Sequence, residues 1–180
     1  MTRKKIRWLL GCCSALGLLA GCAHVISPEV RQQAAMNLTL EEVRRNPDFY
    51  KGQVVIWSGK ILAGENKSDG TWLEILELPA DRQGKPSSTT RSGGRFLAKE
   101  SRFLDTALYA PNRLITVAGT ISGKEQRFVG DVPYVYPVVT IMEMHLWPEE
   151  PLIVRDPYGD SCYHHPPIWW RFYFGHGWCW

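Results

Sequence analysis

The chain has 180 residues, of which 44% are hydrophobic and 22% charged, and its formal net charge is +3. Such a composition excludes a disordered, weakly hydrophobic chain and leaves enough residues for one domain with its own core. Four of the 21 basic residues precede Cys22, but none of the 18 acidic ones do, so a chain beginning at Cys22 carries 17 basic and 18 acidic side chains. That balance argues against a basic surface for nucleic acid or anionic lipid.

Residues 1–21 have the pattern of a secretory signal, with basic side chains at residues 3–7 followed by an apolar run over residues 8–20. The run is short for a membrane span, which needs about 20 apolar residues. It ends in Leu19-Ala20-Gly21-Cys22, which resembles the lipobox of bacterial lipoproteins. In that motif a peptidase cuts before the cysteine, whose thiol carries diacylglycerol and whose freed amine takes a further acyl chain. A general signal peptide with a chance cysteine is the alternative.

Acylation at Cys22 predicts firm membrane anchoring. One chain holds a protein only marginally, and each buried CH₂ adds about 0.8 kcal/mol, so three chains hold it permanently. The next residue is Ala23, whereas aspartate there retains enterobacterial lipoproteins in the inner membrane. We therefore expect an outer-membrane protein facing the periplasm. Its expected partners are the membrane, the lipoprotein processing and sorting machinery and an envelope protein, but not nucleic acid. Apart from the covalent lipid, no cofactor is expected.

A tether and a short helix are predicted before the first strand. Residues 22–38 are polar and weakly periodic, and we interpret them as a lipidated tether. Thr39 and Glu42 have the spacing of a capping box, which predicts a helix from Thr39 to Arg45. The helix should end before Asn46, because a residue that precedes proline avoids helical geometry.

Five strands are predicted from apolar alternation and β-branched content, over residues 53–63, 71–78, 94–99, 114–122 and 134–147. Gly59 should mark a bend or bulge in the first strand. Residues 64–70 are expected to form a turn, residues 80–93 a mobile loop, and residues 101–111 a short helical insert or turn. This order predicts an all-β protein, a five-stranded OB-fold-like antiparallel barrel over residues 39–147. An open antiparallel sandwich is the alternative.

Residues 148–180 are predicted to form an irregular aromatic tail, since they hold nine of the chain's 21 aromatic residues. Trp169, Trp170, Trp178 and Trp180 are candidate interface residues. Indole rings favour the membrane–water boundary, because the ring is apolar and its edge polar. Docking of a partner protein or a glycan, and packing on the protein's own domain, are the alternatives.

The tail also contains Cys162 and Cys179, an even pair in an oxidising compartment and thus a disulfide candidate. Closing such a loop would contribute about 3 kcal/mol. Together with His164, His165 and His176, the two thiolates could instead hold Zn²⁺ or copper. Adjacent histidines before a Pro-Pro pair fit the spacing of zinc fingers poorly, however. Free thiols are the third alternative.

Short sequence motifs spread over residues 28–147 resemble those of the Slp family of starvation-inducible outer-membrane lipoproteins of Gram-negative bacteria. In chain order they are Tyr50-Lys51-Gly52, Trp57-x-Gly59, Asn66-x-x-Asp69-x-Thr71-x-x-Glu74, Pro79 with Gly84 and Pro86, Gly94-Arg95-Phe96, Phe103-Leu104-Asp105, Tyr109, Thr116-Val117-x-Gly119, Tyr134-x-Tyr136-Pro137 and Leu146-Trp147. Asn112 departs from an expected glycine, but asparagine tolerates the same turn. The resemblance implies a location and a link to stress physiology, and no catalytic residues.

The barrel itself offers few candidates for catalysis. Glu143 and His145 lie two residues apart on one strand face, as an acid–base pair would, but a solvated strand face also explains them. Asn66, Asp69 and Glu74 could bind a cation or could simply build a hairpin turn.

We therefore expect a non-enzymatic, lipid-anchored envelope protein in stress-related maintenance of the outer membrane. The alternative is a periplasmic binding module that recognises a small ligand, glycan or partner protein through the barrel face and the tail. An enzyme ranks third. A concave pocket with a perturbed acid beside aromatic rings would favour the binding module or the enzyme.

Overall fold

The computed structural model describes residues 24–87 and 90–149. The described residues all belong to one compact unit, which ends at Glu149. The described residues form two short helices and five strands: α1 (Pro28–Gln33), α2 (Leu40–Arg45), β1 (Val54–Lys67), β2 (Gly70–Glu77), β3 (Arg95–Glu100), β4 (Leu114–Val129) and β5 (Val132–Leu146).

The strands form a closed barrel in the order β1-β2-β3-β5-β4, with β4 pairing back to β1. Neighbouring strands are antiparallel except β3 and β5, which pair in parallel from Leu97 with Val138 to Lys99 with Thr140. A five-stranded barrel with this order is an OB fold. The predicted fold class is confirmed, and the open sandwich is wrong because β1 closes on β4.

Side chains fill the barrel interior. Trp57 on β1 and Phe96 on β3 meet edge to face, with ring centroids 5.3 Å apart. The remaining buried residues of this core are mostly aliphatic: Leu40, Val43, Val55, Ile61, Leu73, Ile75, Ala98, Ile115, Val117, Ile121 and Val139. Residues from all five strands thus share one core, which couples the strands in folding.

Helix α2 supplies Leu40 and Val43 to this core. Its start is the predicted capping box: Glu42 N–H donates to Thr39 Oγ1 at 3.3 Å, and the Glu42 carboxylate accepts from Thr39 N–H at 2.9 Å. Full burial of each of the two aliphatic side chains is worth about 1.5–3 kcal/mol, which holds the helix on the barrel. The predicted helix is confirmed.

Three local features differ from the expected pattern. The bulge in β1 lies between Ile61 and Ala63, and Gly59 is needed instead because a Cβ there would collide with the carbonyl of Leu76. The predicted turn over residues 64–70 shrinks to two residues, since β1 continues to Lys67. Residues 101–111 form turns and no helix. Asp105 caps them by accepting a hydrogen bond from Ala107 N–H at 2.9 Å.

The predicted tether over residues 22–38 is wrong for residues 24–38, which pack on the barrel. Ile26 is only 1% exposed. Val25 N–H donates to the Gln83 carbonyl at 3.0 Å, and Ala35 N–H donates to the Val54 carbonyl at 2.8 Å. The prediction failed because it was based on polar composition. One buried isoleucine and several backbone hydrogen bonds hold this segment on the barrel, and backbone hydrogen bonds leave no pattern in the sequence.

Candidate functional site

The outer face of β2 and β3 is covered by the chain's own β4–β5 hairpin. Leu97, Tyr136 and Val138 form a second buried cluster there, on the opposite side of the sheet from the main core. The Tyr136 hydroxyl donates to Glu74 at 2.9 Å, and Glu74 pairs with Arg95 at 2.8 Å. In OB folds this face commonly binds oligonucleotides or sugars. Here its apolar centre is occupied, so the expected use of the barrel face for binding is not supported.

Trp72 lies beside this cluster, among three cations. Lys67 Nζ, Lys99 Nζ and the Arg127 guanidinium carbon lie 5.0, 5.2 and 5.9 Å from ring centroids of its indole. Its N–H donates to Asp69 at 3.1 Å. Asp69 also accepts from Lys99 at 2.6 Å, and these two hydrogen bonds, that of Lys99 first, lower the pKa of Asp69.

The candidate cation ligands are therefore used internally. Asp69 binds Lys99, Glu74 binds Arg95, and the Asn66 amide oxygen accepts from the Thr71 hydroxyl at 2.5 Å. Within residues 24–87 and 90–149, no group of three or more His, Cys, Asp or Glu side chains could hold a metal ion. These residues build the β1–β2 hairpin.

The candidate acid–base pair on β5 is also engaged in structural contacts. Both carboxylate oxygens of Glu143 accept from Ser27 N–H at 3.1 Å. The His145 ring meets the Trp147 ring edge-on, with centroids 4.6 Å apart. Glu143 therefore fixes the start of α1, and His145 packs against Trp147, the residue that follows β5.

A buried polar network holds the loop of residues 79–87 across β1 and β4. The Thr116 hydroxyl donates to the Gly84 carbonyl at 2.6 Å and accepts from the Trp147 indole N–H at 2.9 Å. The Ser58 hydroxyl lies 2.8 Å from the same carbonyl. Ser58 and Thr116 are both buried. We call these four residues the wall network.

Beside the wall network a groove runs between residues 34–41 on one side and residues 77–84 and 91–93 on the other. Two adjoining cavities of about 280 Å³ and 690 Å³ form it. The residues common to both cavities are Met36, Leu38, Ile56, Trp57 and Glu77. The Trp57 indole N–H donates to the Leu38 carbonyl at 3.3 Å, which ties the floor of the groove to one wall.

Glu77 is the half-buried acid of this groove. Burial raises its pKa above the ordinary value of 4.5, and a hydrogen bond from Gly93 N–H at 2.6 Å opposes this only in part. His24 also lines the groove, and burial and then the charge of Arg31 lower its pKa. The groove thus combines apolar walls, an aromatic edge and a carboxyl group that ionises reluctantly.

Sequence reasoning missed this groove, because distant segments form it. The available signal was the position of Glu77 at the end of β2, two residues after Ile75 and four after Leu73, which places a carboxyl group on the core-facing side of the strand. The lipobox residues Leu19, Ala20, Gly21 and Cys22 lie outside the described residues. So do Cys162, Cys179, His164, His165, His176 and the four tail tryptophans. The lipid site, the disulfide and the metal alternative therefore stay predictions.

The barrel, its covered face and the packed N-terminal segment define an OB-fold domain, and the comparisons with known proteins define its family. The model of the outer membrane lipoprotein Slp family matches residues 19–175. Outer membrane protein Slp of Escherichia coli K12 is 33% identical over 131 residues, 72% of this chain and 69% of that protein. The uncharacterized lipoprotein YeaY of the same organism is 29% identical over 161 residues, 89% of this chain and 79% of that protein.

The chain belongs to the Slp family and is an outer-membrane lipoprotein. A single-stranded DNA-binding protein from Streptomyces coelicolor is similar in structure at 10% identity, with a TM-score of 0.35, over 53% of this chain and 94% of that one. The fold assignment depends on the strand order and not on this likeness. No helix among residues 24–87 and 90–149 is both long and apolar enough to cross a membrane.

The raised pKa of Glu77 predicts a pH-dependent contribution to stability. At pH values between the pKa of Glu77 in the unfolded chain and its pKa in the folded chain, the folded chain binds more protons than the unfolded chain. The stabilisation by Glu77 is therefore complete below the unfolded-state pKa and is lost as pH rises through the folded-state pKa. Glu77→Gln should remove it. In urea titrations at several pH values, the unfolding free energy of the native protein minus that of the variant should fall as pH rises. A constant or rising difference would contradict the desolvation of Glu77.

Proposed function

We propose that the chain is anchored through acylated Cys22, faces the periplasm, and contributes to maintenance of the outer membrane under stress without catalysing a reaction. Membership of the Slp family establishes that the protein is a lipoprotein of the outer membrane. The stress role and the absence of catalysis are the proposal. The protein would act by packing and binding at the membrane surface.

One observation supports this proposal: within residues 24–87 and 90–149, the polar residues that the sequence offered for chemistry have structural contacts. Glu143 fixes Ser27, His145 packs on Trp147, and Asp69 binds Lys99. The barrel interior is occupied by a continuous core. A general acid or base must be able to reach a substrate proton, and these groups already have internal partners.

Substitution of the anchor cysteine tests the proposal. Cys22→Ser removes the thiol that carries lipid, so labelled palmitate should not be incorporated and the protein should leave the outer-membrane fraction. Cys13→Ser, a cysteine within the signal segment, is the matched control and should behave as the native protein. Starved cells that lack the protein should admit more N-phenylnaphthylamine, and only the native and Cys13→Ser forms should restore the barrier.

Two results would count against this account. Palmitate on the Cys22→Ser protein would exclude Cys22 as the anchor. Full restoration of the barrier by an unlipidated form would separate the function from the membrane.

A second candidate function is a binding module, and the groove at Glu77 favours it. A half-buried carboxylate beside apolar walls and the edge of Trp57 suits a ligand that joins a cationic amine to an apolar body. Because the charged form of Glu77 would attract the amine, affinity should weaken as pH falls through the folded pKa of Glu77.

Butylammonium is a suitable probe for this groove. It should shift the NMR signal of the Trp57 indole N–H at neutral pH, and Glu77→Gln should reduce the affinity at least several-fold. Glu41→Gln, at the rim of the same groove, is the control and should retain most of the binding. Equal shifts in the native protein and the Glu77→Gln variant would exclude Glu77 as the recognition group.

A further inference from the structure

The first half of β1 turns alternate main-chain groups toward the groove at Glu77. This part of β1 pairs with β4 in continuous antiparallel register. Beyond one end of the pairing, the Gln53 carbonyl accepts from Ile121 N–H at 2.9 Å. Beyond the other end, Ile61 N–H donates to the Arg113 carbonyl at 2.9 Å. In an antiparallel pair every second residue bonds to the same neighbour. The odd-numbered residues of β1 therefore bond to β4, and the even-numbered ones point to the opposite side.

On that opposite side Ile56 lies between two residues that have partners. The Val54 carbonyl accepts from Ala35 N–H, and the Ser58 carbonyl accepts from Leu78 N–H, both at 2.8 Å. Within residues 24–87 and 90–149, no hydrogen bond joins the main chain of Ile56 to either of these segments. Ile56 is half-buried and lines both cavities of the groove. One main-chain donor and one acceptor therefore face the groove without a partner in the chain.

This unpaired stretch of β1 suits a single residue of an extended chain. Main-chain groups in a half-buried site need a partner, which water or a ligand can supply. Val54 and Ser58 are four residues, about 13 Å, apart along the strand. Because both of them are already paired, a longer added strand cannot bond along β1. One ligand residue fits, since its N–H and carbonyl match the carbonyl and N–H of Ile56.

Glu77 indicates which residue of a chain fits this place. Glu77 pairs with Gly59, so it lies toward the C-terminal end of β1 from Ile56, the end to which the Ile56 carbonyl belongs. An antiparallel ligand residue places its nitrogen opposite that carbonyl, and therefore on the side of Glu77. One carboxylate oxygen of Glu77 accepts from Gly93 N–H at 2.6 Å. A desolvated carboxylate gains most from a cationic hydrogen-bond donor, and a protonated amino group is one.

We propose that the groove binds the free amino-terminal residue of a peptide. The ammonium group of that residue donates to Glu77 and to the Ile56 carbonyl, and its carbonyl accepts from Ile56 N–H. An apolar side chain on the ligand lies beside the Ile56 side chain, because paired residues of antiparallel strands share a face. This inference rests on the groove as a binding module, the second candidate function, and adds the class of ligand.

Leucinamide is the probe, because it has the ammonium group, the carbonyl and the apolar side chain of the proposed ligand. Butylammonium lacks the carbonyl, and N-acetylleucinamide lacks the charge. In NMR titrations of the full chain at neutral pH, leucinamide should bind at least several-fold more tightly than either of these. It should also move the Ile56 amide proton downfield and slow its exchange with solvent. The Val55 amide, which bonds to β4, is the internal control and should not change.

Two variants separate the contribution of the charge from that of the main chain. Glu77→Gln should reduce the affinity for leucinamide at least several-fold and leave that for N-acetylleucinamide nearly unchanged. Glu41→Gln, at the rim of the groove, is the matched control and should retain the affinity for both compounds.

Equal affinities for leucinamide and butylammonium would overturn the peptide terminus as the ligand, while the groove would stand as an amine site. An Ile56 amide that is already protected from exchange in the free protein would overturn it as well. If neither compound binds, the groove itself is rejected as a binding module, and the proposal with it.

Discussion

The buried carbonyl of Gly84 is the constraint on which the domain's arrangement depends. A main-chain acceptor left without a partner in the interior costs about 1–3 kcal/mol. Here the hydroxyls of Ser58 and Thr116 lie within hydrogen-bonding distance of it, from two neighbouring strands of the barrel. The loop of residues 79–87 is therefore fixed on the β1–β4 wall. His24 and Trp147 then pack around it, so both ends of the domain are positioned by one carbonyl group.

That arrangement leaves the barrel with surfaces of different character. The β2–β3 face, which other OB folds use for ligands, is filled by the protein's own hairpin through Tyr136 and Val138. The loop fixed by Gly84 forms one wall of the groove that holds Glu77. The side on which the two ends meet carries His24, which follows the predicted lipid attachment point by two residues. This member of an outer-membrane lipoprotein family thus has an OB barrel whose customary binding face is occupied.

Local patterns in the sequence were sufficient to predict part of this structure. The capping box of Thr39 and Glu42 and the shared face of Ile115, Val117 and Ile121 on β4 depend on neighbours in the chain, and both appear as expected. The groove at Glu77 and the packing of Ile26 could not be predicted, because each depends on segments dozens of residues apart. The prediction of a tether was wrong for the same reason. One buried isoleucine and a few backbone hydrogen bonds to distant residues hold the segment on the barrel despite its polar composition.

Removal of the Thr116 hydroxyl tests the role of the Gly84 carbonyl most directly. Thr116→Val keeps the shape of the side chain but leaves the Trp147 indole N–H without its acceptor and the carbonyl with Ser58 as its remaining hydroxyl donor. Thr120→Val, on the same strand but partly exposed, is the matched control. In urea denaturation, Thr116→Val should lower the unfolding free energy by about 1–3 kcal/mol. Thr120→Val should change it by less than about 0.5 kcal/mol. Equal, small effects of the two substitutions would contradict the view that this carbonyl holds the domain together.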